Sequence, residues 1–164
     1  MSEGHVDLTV RDATDLDVEA IRGIAATAWR DTYATHLRPE TIEAFLARSY
    51  SAERVVARIA RDTFLVAVED GAIIAFADAL AVDDHVRLFA IYALPSSRGR
   101  GAGSALLAEL QARYAGSPIA AEVLVGNRKG EGFYEARGFV PRETIEAELL
   151  GERVVERRWW LPPA

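Results

Sequence analysis

Between an apolar run, Val86 to Leu94, and an amphipathic segment ending at Tyr114, the chain reads Pro95-Ser96-Ser97-Arg98-Gly99-Arg100-Gly101-Ala102-Gly103. That order is strand, glycine-rich turn, helix. Glycines at alternate positions strip one short arc of side chains, so its N–H groups can close on a ligand, and the helix that follows aims its positive dipole end at the same point. With Arg98 and Arg100 interleaved, the expected ligand is phosphorylated, since guanidinium groups and free helix N-terminal amides both favour phosphate oxygens. The next strand signal is Ile119 to Val125. A helix between strands at 86 and 119 makes them parallel neighbours by the right-handed crossover rule.

Related glycine loops fit poorly. A P-loop ends in Gly-Lys-Ser/Thr, whereas Gly103 is followed by Ser104-Ala105 with no lysine in the loop. A dinucleotide fingerprint needs a third glycine where this chain has Ser104 or Leu106. Cysteine is absent, and His5, His36 and His85 are dispersed, so neither a thiolate nucleophile nor a metal-ligand spacing is expected. The net charge of −6 argues against nucleic acid as a partner and would attract a cationic acceptor. The same charge repels a phosphorylated ligand at long range, so Arg98, Arg100 and the loop amides must win within a Debye length of about 8 Å. No stretch resembles a membrane span or a signal peptide, and the expectation is a cytoplasmic protein. Half of the 164 residues are hydrophobic, which suits one domain over 1–164 with the glycine loop at 86–114 as its core.

In chain order, Leu8 to Arg11 alternates as a strand, and Thr14 or Asp15 caps a helix with Val18, Ile21, Ile24, Ala25 and Ala28 on one face. Pro39 opens a second helix with Ile42, Phe45 and Leu46 inward. Ser51 caps a third, carrying Val55, Val56 and Ile59. From Phe64 the period changes. Phe64 to Val68, Ala72 to Val82 and the run from 86 form an antiparallel meander turning at Asp70-Gly71 and Asp83-Asp84. After the glycine-loop helix, closed by Gly116-Ser117-Pro118, come the strand at 119, a break at Asn127, a helix Lys129 to Arg137 ended by Gly138, and strands 139–148 and 153–161 turning at Gly151-Glu152. The expected architecture is α/β (α+β): a mixed, mostly antiparallel twisted sheet of about seven strands with helices on both faces.

Arg98, Gly101 and Gly103 after a strand and proline turn resemble the acetyl-CoA-binding segment of GNAT-type N-acetyltransferases. So does a second motif at 119–139, in which Asn127 ends a strand and Phe133-Tyr134-Glu135 precedes Gly138-Phe139. Gly130 stands where the family usually has alanine, which weakens that helix by under about 1 kcal/mol. The resemblance implies a GNAT fold and an acyl-CoA-dependent N-acyltransferase moving an acetyl group directly from acetyl-CoA, as cosubstrate and without metal, to a primary amine of a small molecule or peptide. The alternative is a catalytically silent acyl-CoA-binding sensor or interaction module. Partners would be the amine acceptor, not nucleic acid or membrane, with a homodimer left open.

The resemblance also implies roles. Ile91, Tyr92 and Ala93 would pair with the pantetheine arm, and Arg98, Gly99, Arg100, Gly101, Ala102, Gly103 and Ser104 would hold the pyrophosphate. Asn127 would bond the pantetheine amide or a nearby backbone group, though locally it reads equally as a turn residue in left-handed conformation. Tyr134 is the acid expected to protonate the departing thiolate. Glu122 matches a base position of some members, with Asp78, Asp83 or a water as rivals, because Val86, Arg87 and Leu88 occupy the place where many members carry an acidic residue. Trp29, Tyr33 and His36 sit where relatives shape the acceptor pocket, and aromatic rings there would suit a cationic amine, although core packing is the expected use of Trp29.

Overall fold

The computed structural model describes residues 7–164, so His5 lies outside the described residues. Strands β1 (Leu8–Asp12), β2 (Thr63–Glu69), β3 (Ala72–Val82), β4 (His85–Ala93), β5 (Ile119–Leu124), β6 (Val140–Leu149) and β7 (Glu152–Leu161) form one sheet in the order β1-β2-β3-β4-β5-β7-β6. Every neighbouring pair is antiparallel except β4 and β5, joined through a helix as expected. The helices are α1 (Val18–Tyr33), α2 (Pro39–Ser49), α3 (Ala52–Arg61), α4 (Ala102–Arg113) and α5 (Arg128–Ala136).

The continuous apolar run of β2 is explained by burial on both faces. Phe64 and Val66 pack with Phe76 and Ala90 under α1, α2 and α3, where Ile21, Ile24, Ile42, Leu46 and Val55 close the layer. Leu65 and Ala67 face the other way, with Leu88, Ala121 and Val123, onto Leu106, Leu107 and Leu110 of α4 and Tyr134 of α5. Val56, expected inward on α3, is exposed, and Phe45 of α2 is half-buried.

Local signals act with small displacements. Thr14 caps a short 3-10 turn, Asp15–Asp17, through a reciprocal capping box with Asp17, and α1 begins only after it. Ser51 caps α3 by accepting from the Arg54 N–H. The β2–β3 turn uses Asp70 and Gly71 at φ 51° and 80°, the primed-turn signature. The last hairpin turns at Leu150-Gly151, one residue earlier than expected, with Leu150 itself at φ 46°.

The feature that positions the site is a bulge in β4. Asp78 pairs with Ala90 and Ala79 with Leu88, which leaves Phe89 unmatched. A bulge bends its strand and sharpens the local twist. The parallel pairing with β5 runs Val86↔Ile119 to Leu88↔Ala121 and stops there. Beyond it β4 stays with β3 as far as Ala93, while β5 stays with β7 as far as Leu124. The two middle strands therefore splay apart, and each keeps a free edge along the gap.

Candidate active site

The gap between β4 and β5 opens into a cavity of about 570 Å³. Tyr33 and Tyr92 line it from the α1 side, and Gly103, Phe133 and Tyr134 line it from the side of α4 and α5, so the slot reaches both faces of the sheet. Ile91 and Ala93 line it too, on the β4 edge that β5 has left.

At one end lies the glycine turn. Gly99 and Gly101 adopt φ of 80° and 84°, conformations that ordinary residues rarely take, and Gly101 is the N-cap of α4. The first bond of the helical ladder runs from the Ala105 N–H to the Gly101 carbonyl at 2.9 Å. The N–H groups of Ala102, Gly103 and Ser104 therefore have no acceptor within the helix, and the cap contributes no side-chain bond. Gly103 serves differently: a Cβ there would lie 2.6 Å from Phe133 Cε2, so this glycine lets α5 dock on α4.

The two loop arginines part company. Arg98 lines the cavity and donates to Asp31 at 2.5 Å and to Thr32 at 3.3 Å, both on α1. Arg100 is outside the lining, and its guanidinium pairs with Glu69, a carboxylate only 7 % exposed. Ser104 is also outside it, and its hydroxyl accepts from Arg137 Nε at 3.1 Å.

Asn127 is buried at φ −74°, not left-handed, and its Oδ1 accepts from the Gly130 N–H at 3.2 Å, capping α5. The left-handed residue of that turn is Gly126, at φ 93°. Gly130 is fitted rather than merely tolerated, because a Cβ there would meet Asn127 Nδ2 at 2.7 Å and Val123 Cγ1 at 3.1 Å.

Tyr134 lines the cavity at 9 % exposure, and its hydroxyl has no hydrogen-bond partner among the described residues. Burial pushes the phenol well above its ordinary range, so it stays protonated at neutral pH. Glu122 also lines the cavity, but its Oε1 accepts from Arg158 at 2.8 Å and from Arg87 at 3.5 Å. Asp78 is 1 % exposed beneath α3, bonded by Arg58 Nε at 3.0 Å and outside the cavity lining. Asp83 sits in the β3–β4 turn, at the opposite end of β4 from the glycine turn. Neither of these two rival carboxylates borders the slot.

Tyr33 is held in the slot by its hydroxyl, 3.1 Å from that of Tyr92. Trp29 is core: it stacks on Phe45 at 3.9 Å between ring centroids and does not line the slot. His36 Nε2 lies 3.0 Å from the Gly126 carbonyl and ties α1's end to the β5–α5 turn.

Among the lining residues that the sequence did not mark for the site, three carry chemistry or geometry of note. Lys129 reaches Asp31 at 3.4 Å, Arg137 lies 3.7 Å over the Phe133 ring, and Phe89 is the bulge residue. Lys129 had a signal. Arg128-Lys129 puts cations in a helix's first turn, against the macrodipole, an arrangement that suits a nearby anion.

The model of the Acetyltransferase (GNAT) family matches residues 19–139. The chain is 25% identical over 160 residues to a spermidine N(1)-acetyltransferase of Thermoplasma acidophilum, an alignment covering 92% of this chain and 99% of that protein. Among solved structures, the PaiA N-acetyltransferase of Thermoplasma acidophilum in complex with coenzyme A superimposes with a TM-score of 0.80 at 23% identity, covering 92% and 98% of the two chains. A GCN5-related N-acetyltransferase from Rhodopseudomonas palustris gives 0.79 at 19% identity, covering 97% and 99%.

Proposed function

Because the chain belongs to the GNAT family of acetyltransferases and is an N-acetyltransferase, we propose that it moves an acetyl group from acetyl-CoA directly to a primary amine of a small cationic molecule, with 1–164 acting as one catalytic domain. The observation that carries this reading is the slot itself. A free β4 edge, a glycine cradle with open helix N–H groups and a buried phenol line one cavity that reaches both faces of the sheet.

These residues suit acetyl-CoA. The β4 edge at 91–93 offers strand-like hydrogen bonds to an amide-bearing arm, and an N–H there is placed to polarise the thioester carbonyl. The open N–H groups of 102–104, with Arg98 and Lys129 beside them, receive the pyrophosphate. Asp31 holds both of those cations meanwhile and gives them up to the stronger anion. Arg100 contributes from outside the slot by anchoring the turn on Glu69. Tyr134 donates its proton to the departing thiolate. The acceptor approaches from the α1 side, past Tyr33 and Tyr92, whose rings favour a cation. A dication is further supported by the net charge of −6 and by the likeness to a spermidine N(1)-acetyltransferase.

A panel of amines assayed by thiol release from acetyl-CoA tests the reading. Spermidine, putrescine, a neutral-tailed primary amine and a short peptide with a free N-terminus are the informative members. Amine-dependent release, greatest for the di- and triamines, is expected. Tight binding of coenzyme A with no release for any amine would leave the silent-binder alternative instead.

A further inference from the structure

A second cavity, of about 110 Å³, opens beside the first, and the two share Leu88, Phe89 and Glu122 as walls. Its other lining groups are Arg87 on β4, Ala120 on β5, and Glu156 and Arg158 on β7. Glu156 stands opposite Leu124 in the β5–β7 register, and Arg158 opposite Glu122, so the two glutamates share one face two residues apart along the paired strands. Their circumstances differ. Glu122 is occupied by Arg158 and Arg87, whereas Glu156 has no hydrogen bond or ion pair among the described residues. Glu156 is half-buried yet its oxygens are not sealed off. The charged and titratable groups around it are Glu122 from β5, Arg87 from β4, Arg158 on its own strand, and Tyr33 from α1, on which its charge acts.

We propose that Glu156, which lines the small cavity and not the slot, rather than Glu122, takes the proton from the acceptor's ammonium across water held in that small cavity. The proposal rests on the acetyltransferase reading above and adds to it the residue that makes the amine nucleophilic. In balance, the ammonium loses one proton to the Glu156 carboxylate. The neutral amine then forms the C–N bond to the thioester carbonyl carbon, the C–S bond breaks, and Tyr134 gives the thiolate its proton. The second proton of the nitrogen restores the phenol, and Glu156 returns the first to solvent. The half-buried setting suits the task. Burial, with Glu122 beside it, raises the Glu156 carboxyl against the opposing pull of Arg87 and Arg158, toward the operating pH where a general base is most effective.

Two measurements test this. In the first, kcat/KM with spermidine is followed against pH for wild type, Glu156→Gln, Glu156→Asp and Glu122→Gln. Wild type should reach a plateau above the Glu156 pKa. Glu156→Gln should lose about 10²-fold or more at neutral pH and climb steadily toward the amine's own ionisation, and Glu156→Asp should restore the plateau at a lower rate. A plateau that survives in Glu156→Gln, or that disappears in Glu122→Gln alone, overturns the assignment. The second measurement needs no acceptor and checks the setting that the proposal requires of Glu156 even if spermidine is not turned over. In protein labelled with ¹³C at glutamate carboxyls, one resonance should titrate above the usual glutamate range and vanish in Glu156→Gln. Titration of that resonance in the ordinary range overturns the proposal, whereas absence of amine-dependent release by wild type counts against the acceptor reading alone.

Discussion

A single hydroxyl and a single missing methyl illustrate how much of this site is decided at one atom. The Tyr134 phenol is raised by burial, and a group that acts in its protonated form loses activity only as pH climbs through its pKa. The alkaline fall in rate should therefore lie above the ordinary tyrosine range. Tyr134→Phe keeps the ring against Phe139, 4.9 Å away between centroids, so the melting temperature should hardly move. Its kcat should fall by about 10² to 10⁴, with loss of the alkaline limb, as measured by thiol release across pH. Gly103→Ala is the complementary case. The new methyl meets the Phe133 ring, which lines the slot beneath Arg137, so the ring must shift, and the prediction is that it shifts into the slot and competes with acetyl-CoA. KM for acetyl-CoA should rise several-fold with little change in kcat. An unchanged KM would show that the ring moves elsewhere.

Among the elements, the glycine turn sends one arginine, Arg98, into the slot and the other, Arg100, outside it onto Glu69. Arg98→Ala removes a cation from the slot and should weaken coenzyme A binding about tenfold or more by calorimetry, as loss of a charge-assisted hydrogen bond of ~1.5 to 3 kcal/mol implies. Arg100→Ala instead strands Glu69, whose second oxygen is already buried without a partner, and should lower the melting temperature while sparing affinity. Equal loss of affinity in both variants would refute the division. The alternating glycines and the crossover to Ile119 made the turn, α4 and the parallel pair readable from local spacing, and Asp70-Gly71, Pro39 and Ser51 located their elements directly. The partition of the arginines was not readable, because Arg98 meets a partner 67 residues away and Arg100 one 31 away. Nor was the bulge at Phe89, which follows from the register of β3 against β4 rather than from any residue type. Glu156 likewise reads as one charged residue in an alternating strand until β5 pairs beside it.

Across the whole molecule, charge acts at two ranges. The net charge of −6 should draw a dicationic acceptor, so its kcat/KM should fall with added salt more steeply than that of a neutral-tailed amine; matching salt responses would remove the long-range contribution. At short range the decisive group is Asp78, far from the slot in role though on a neighbouring strand. It lies beneath α3 with Arg58 on one oxygen and no partner for the other. Burial, then the neighbouring Asp62 carboxyl, push it up to about 8, against the opposing pull of Arg58. The folded carboxyl thus keeps a proton that the unfolded chain, titrating near the ordinary 3.8, has released. Unfolding between those values releases a proton, so the stability that Asp78 contributes is greatest on the acid side, declines as pH rises toward about 8, and then levels off. The slope from this one group is at most ~1.4 kcal/mol per pH unit. Asp78→Asn carries a neutral group of the same shape at every pH, so its denaturation midpoint should lack that decline between the unfolded 3.8 and the folded value of about 8. Parallel midpoint curves for wild type and Asp78→Asn would mean that Arg58 keeps the carboxylate ionised in the folded state, and that the α3 layer is held by an ion pair rather than by a buried acid.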